Sequence, residues 1–135
     1  MLMLNRTIAL FFIRCLLGII FLMQGYGKVF TWGVEGIYQN MFKSYEEKLP
    51  KFLVLFAAYF TSYTELIGGL FLVLGLFRNY ALYALGAVLL IVSFGHGLAS
   101  PIWNLSDVIF RSILLMALLL LPEDWDKWRL DSLRK

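Results

Sequence analysis

Seven polar residues lie inside or at the ends of long apolar runs: Arg14, Gln24, Lys28, Glu65, His96, Asp107 and Arg111. In hydrocarbon such groups are expensive. A charge at the centre of a membrane-spanning helix costs at least about 2.5 kcal/mol, and less toward the helix ends. Three kinds of chemistry would offset that cost: ion pairing between helices, binding the polar head of an amphipathic molecule, or proton- and electron-coupled work. Asp107 and Arg111 are four residues apart and can pair along one helix. Glu65 can reach Arg14 or Lys28 but not both tightly, because those two are roughly 20 Å apart along a helix axis. Arg14, Lys28 and Arg111 against Glu65 and Asp107 leave one positive charge over. A spare cation beside a pocket suits an anion, a carboxylate or a quinone carbonyl. All seven residues are therefore candidate ligand-binding positions, and no catalytic residue is identified.

Other chemistries lack their residues. His96 is the single histidine and has no His–His or His–Glu spacing, so no metal site is expected. There is no nucleophile elbow, phosphate loop or zinc motif. The lone Cys15 rules out an intrachain disulfide and a dithiol relay within this chain. A net charge of +3, dispersed along the chain, does not suggest a nucleic-acid partner.

The elements that must position these groups are legible from hydropathy. The chain has 135 residues, of which 61% are hydrophobic, and a mean hydropathy of +0.77. The apolar excess is concentrated in four runs, predicting helices over about 7–30, 51–77, 80–100 and 104–121. The fold class expected is an all-α membrane protein, a four-transmembrane-helix bundle forming one domain over 1–135. Between the first two spans, residues 34–49 place Val34, Ile37, Tyr38, Met41, Phe42 and Tyr45 at helical spacing among Glu35, Gln39, Lys43 and Glu46. This pattern predicts an amphipathic helix on the membrane surface, serving as a linker or as a lid over a site between the spans.

In the first span, Arg14, Gly18, Phe21, Gly25 and Lys28 follow one another at intervals of four, three, four and three. They share one helical face, and that face should turn toward other helices or a wet cavity. In the second span, Ala58, Ser62, Glu65, Gly69, Leu72 and Gly75 form a matching small and polar stripe. Gly86, Ser93 and Gly97 are expected to give close packing in the third, after a tight turn at Arg78-Asn79. Four spans put both termini on one side. The Lys and Arg counts favour the cytoplasm for that side, six against four. The apolar N-terminus resembles a signal peptide, but Arg14 interrupts it and no small-residue cleavage site follows, so it is read as a retained first helix.

On these residues the chain resembles the DoxX family of small four-helix membrane proteins. The stretch RCLLGIIFLMQGYGKVF (Arg14–Phe30) is similar to the family's first helix. ELIGGLFLVLGLFR (Glu65–Arg78) resembles its glutamate, paired glycines, apolar run and basic ending. DKWRLDSL (Asp126–Leu133) resembles its closing stretch. The resemblance marks Arg14, Gly25, Lys28, Glu65, Gly68, Gly69 and Gly75 as family-like positions, while Trp32–Pro50 is longer than the loops of some relatives. It implies a four-helix bundle in a bacterial inner membrane. It also implies an association, in some members, with membrane redox work that includes quinone reduction.

The leading expectation is an accessory membrane subunit that binds a quinone-like or lipid-like molecule in a polar intramembrane cavity. Glu65 and Lys28 would hold its head and Phe21, Tyr26 and Phe30 its apolar part. One rival is a subunit of a quinone-linked oxidoreductase whose donor cofactor sits on a partner. The other is a structural scaffold held together by ion pairs. Expected partners are membrane lipids, a redox subunit or further copies of the chain. No cofactor beyond a bound quinone is expected.

Overall fold

The computed structural model describes residues 1–99 and 106–131, and within them the side chains of Met41, Ala99, Ser106 and Asp107 are excluded. All regular structure among the described residues is helical. Five α-helices follow in order: α1 (Leu2–Tyr26), α2 (Val34–Ile37), α3 (Lys51–Leu74), α4 (Arg78–Ala99) and α5 (Ser106–Leu120). Among the described residues, three helices are long and apolar enough to cross a membrane: Leu2–Thr31, Lys51–Leu74 and Arg78–Leu98. Of the fourth predicted span, the described residues contribute the 15-residue apolar helix Ser106–Leu120.

α1 and α3 form the most intimate pair, because glycine lets their backbones touch. A Cβ placed on Gly25 would lie 2.2 Å from the Leu66 nitrogen, and one on Gly69 would lie 2.4 Å from the Leu22 nitrogen. Such crossings are typical of helices that meet in lipid, where small residues rather than hydrophobic exclusion drive contact. On the predicted face of α1, Arg14, Gly18, Phe21 and Gly25 are buried, with Leu17 beside them, while Lys28 beyond the helix end is half-buried. The same holds for α3, where Ala58, Ser62, Glu65, Gly69 and Leu72 are buried. Leu82, Leu85, Leu115 and Leu118 from α4 and α5 complete the core. Large apolar side chains such as Leu90 and Leu120 face outward, three-quarters exposed, as a lipid-facing surface requires.

Several boundaries depart from the sequence expectation for local reasons. α3 stops at Leu74, because Gly75 takes a left-handed conformation (φ 70°). There Leu76 N–H donates to Phe71 O and Gly75 N–H to Leu72 O, the two bonds that close a helix C-terminus. The turn is therefore Gly75–Phe77. Arg78 belongs to α4, whose first N–H, with that of Phe77, is capped by the distant Asp131 carboxylate. Among the described residues, nothing lies within 4 Å of a Cβ placed on Gly97, and one on Gly86 meets only Leu115 at 3.9 Å, so neither gives the close packing expected there.

The segment expected as one amphipathic helix is a continuous run of helical turns of changing pitch from Val34 to Glu47. α1 ends in a π-helical turn at Gly27–Thr31, and Gly33 then reverses the chain with φ 76°. α2 gives way to a second π-helical turn at Tyr38–Phe42 and a 3₁₀ turn at Lys43–Glu47. The apolar periodicity still identifies the packed face: Val34 and Tyr38 are buried against Val54 and Ala58 of α3.

Candidate functional site

The polar residues fall into separate groups at the two ends of the bundle. Where α1 and α4 finish and α3 begins, the π-helical turn carries Lys28 onto Glu65. The Lys28 Nζ donates to Glu65 Oε1 at 2.8 Å. Of the two partners open to Glu65, the geometry selects Lys28. The glutamate side chain is 1% exposed and that of Lys28 21%. Glu65 Oε2 is buried and has no hydrogen-bond partner among the described residues. Ser62 and Thr61, on the preceding turn of α3, donate their hydroxyls to backbone carbonyls at Ala58 and Ala57 and leave that oxygen open.

Lys28 borders a cavity of about 360 Å³. Thr61 and His96 add its other polar lining, with Tyr45 at its edge. Its walls are apolar and rich in aromatic rings, including Phe42, Phe56 and Phe94. The volume lies within the range of small-molecule sites, as does the pattern of greasy walls around a few polar groups. One wall is the 38–49 segment, which is tied across to α4: Tyr45 Oη donates to Gly95 O at 2.8 Å and Lys48 Nζ to Leu98 O at 2.6 Å. Within that segment, Tyr38 Oη donates to Glu46. Burial raises the Tyr45 hydroxyl pKa, which keeps it a donor.

Gln24 and Arg111 form a second contact at this end but do not line the cavity. Arg111 Nη1 donates to Gln24 Oε1 at 2.8 Å, and the guanidinium lies over the Phe21 ring at 5.3 Å. Phe21 is fully buried in the helix core and Tyr26 and Phe30 are exposed; none of the three lines the cavity. Its apolar walls come instead from α3, α4 and the 38–49 segment. The expected Asp107–Arg111 pair lies outside the described residues.

Arg14 belongs to the opposite end, away from the cavity. Its Nε donates to both oxygens of Asp126 (3.2 and 3.1 Å), Nη1 to the carbonyls of Leu72 and Val73 (2.7 and 3.0 Å), and Nη2 to Trp128 O. Arg78 Nε reaches the same carboxylate at 2.7 Å, with Nη2 on Leu118 O at 2.6 Å. Asp126 is 1% exposed and holds two buried guanidiniums. Arg14 is therefore a clamp on the C-terminal segment, which corrects its reading as a ligand-binding residue: every guanidinium nitrogen already has an acceptor.

The sequence reading missed Asp126 and Arg78 as members of this cluster. Arg14 and Asp126 are separated by 112 residues. The signal that could have joined them was the surplus of membrane cations over nearby carboxylates. Around the clamp, Arg6 stacks on Trp125 at 4.3 Å. Arg129 pairs with Glu123 at 2.6 Å and, through that hydrogen bond, holds the Glu123 carboxyl below its usual pKa.

No group of three or more His, Cys, Asp or Glu side chains able to hold a metal occurs among the described residues. No curated protein and no solved structure matches the chain. The DoxX family model matches residues 9–97, a stretch that includes Arg14, Lys28, Glu65 and His96 and ends before Asp126. With its helices of spanning length, the chain is a multi-pass membrane protein and belongs to the DoxX family.

Proposed function

We propose that the cavity beside Lys28 binds a small amphipathic molecule, quinone-like or lipid-like, and that the chain acts as an accessory membrane subunit. The observation that carries this reading is a lysine at the edge of an apolar cavity of about 360 Å³, paired with Glu65, which is buried behind it outside the cavity lining and keeps one carboxylate oxygen without a partner among the described residues. An ammonium has three protons, and the Glu65 contact uses one. The others can meet a carbonyl oxygen of a bound head, while the aromatic walls hold a ring or chain. In this reading α5 is the fourth span and both termini lie on the cytoplasmic side of a bacterial inner membrane. The 34–49 segment lies at the far interface as a cover. Any electron donor would sit on a partner subunit.

Native mass spectrometry of protein gently extracted from its own membrane tests this. The expected result is a retained mass of a few hundred daltons that is lost in Lys28→Met and in Ala57→Trp, which puts an indole into the cavity that Ala57 lines. A retained mass indifferent to both variants, or a bare chain, would overturn the reading.

A further inference from the structure

The charge state of the cavity follows from the same geometry and sets what kind of head it admits. This step rests on the cavity being a ligand site. We infer that Glu65 is a specificity-determining residue that cancels the Lys28 charge, so the cavity selects an uncharged, carbonyl-bearing amphiphile and rejects anionic ones.

The count of cations and carboxylates leaves one positive charge over, which suits an anion, a carboxylate or a quinone carbonyl. The structure puts the surplus elsewhere, at the Arg14–Asp126–Arg78 clamp, where two guanidiniums share one carboxylate. Beside the cavity, Lys28 and Glu65 stand one to one at 2.8 Å. An anion approaching the free side of the ammonium would also feel the carboxylate immediately behind it, and the two effects largely cancel. It would still forfeit its hydration on entering apolar walls. A neutral carbonyl gives up much less hydration and still accepts a hydrogen bond from Nζ. Of the remaining groups that face this end, His96 lines the cavity, Lys48 donates to Leu98 O, and Glu46 accepts from Tyr38. Arg111 is turned to Gln24 and Phe21.

A matched pair of probes tests this at mildly alkaline pH in detergent: methyl dodecanoate and dodecanoate, alike except for the charge. Decylbenzoquinone serves as a third probe to separate a quinone head from a lipid-like ester. In the parent, methyl dodecanoate should bind at least about tenfold more tightly than dodecanoate, as should the quinone if a ring is preferred. Glu65→Gln keeps the shape and an acceptor for Lys28 but removes the negative charge. It should shift the ester-to-carboxylate ratio by about tenfold or more toward dodecanoate, well within the value of one uncompensated charge near a protein surface. Lys28→Gln combined with Glu65→Gln should abolish that shift.

If Glu65→Gln does not fold, the parent ratio alone decides, since equal or tighter binding of dodecanoate overturns the inference. An unchanged ratio in a folded Glu65→Gln overturns it as well, while binding that Ala57→Trp still blocks leaves the site itself intact. If no probe binds the parent in an Ala57-sensitive way, the site reading fails and the inference falls with it.

Discussion

Replacing Asp126 with alanine should be among the most damaging single changes in the chain. The carboxylate is 1% exposed and sits between Arg14 Nε and Arg78 Nε at 3.1 and 2.7 Å. Its removal leaves two buried guanidiniums side by side without a counter-charge. Breaking a buried pair by deleting one partner costs about 3–5 kcal/mol. Here two pairs are lost at once, but the carbonyls of Leu72, Val73, Leu118 and Trp128 still hold the arginines. The expected loss therefore stays within that range, near 4 kcal/mol, and does not double. Asp126→Asn retains an acceptor and should lose roughly half as much. The assay is reversible unfolding in mixed micelles with increasing sodium dodecyl sulfate, followed by helical circular dichroism. Proteolysis of the 122–131 segment should accelerate in the same order. Glu123→Ala removes a half-exposed partner of Arg129 and should cost no more than about 1 kcal/mol. A folded Asp126→Ala protein within 1 kcal/mol of the parent would refute the assignment of this carboxylate as the clamp.

Gly25→Ala must push α1 from α3, since its Cβ would stand 2.2 Å from the Leu66 nitrogen; a loss of about 1–3 kcal/mol is expected by the same unfolding assay. Gly36→Ala, with nothing within 4 Å, should be neutral or slightly stabilising. Tyr45→Phe removes the tie to Gly95 O and should raise hydrogen exchange across 38–49 about fivefold, equivalent to one hydrogen bond of about 1 kcal/mol. The parent should approach that faster exchange only at alkaline pH. Burial raises the folded-state pKa of the hydroxyl, so the tie is complete below the usual tyrosine range and is lost as pH rises past it.

The parts of this structure legible in the sequence are those governed by helical repeat. Arg14, Gly18, Phe21 and Gly25 could be put on one inward face because a helix fixes which residues are neighbours, whatever it packs against. Glu65 could be narrowed to two partners by length along an axis. Choosing Lys28 required the π-helical turn at Gly27–Thr31, which no periodicity reveals. The cover segment shows the same limit. The repeat puts Val34 and Tyr38 on one apolar face, but that this face packs on Val54 and Ala58 of α3, and that the helix changes pitch after Ile37, depends on how the segment folds back. Asp126 was hidden for another reason. It lies in a run of alternating charges around Trp125 and Trp128 that fits a segment held at the membrane interface, and only its placement beside Arg14 and Arg78 makes it interior.

The two polar centres differ in completeness, and that difference separates structure from function. At the clamp, all three nitrogens of each guanidinium donate, and the single carboxylate receives both arginines. A buried network satisfied in this way fixes one arrangement of chain and has little capacity left for a ligand. At the other end, Glu65 keeps an oxygen without a partner and Lys28 keeps protons at the edge of a cavity. An open buried acceptor is costly, so its persistence calls for a compensating partner. The chain thus secures its bundle with the charges nearest its own C-terminal segment and leaves the other pair incomplete beside the cavity. Charge removal at the clamp should therefore alter stability, whereas charge removal at Lys28 or Glu65 should alter what the cavity retains.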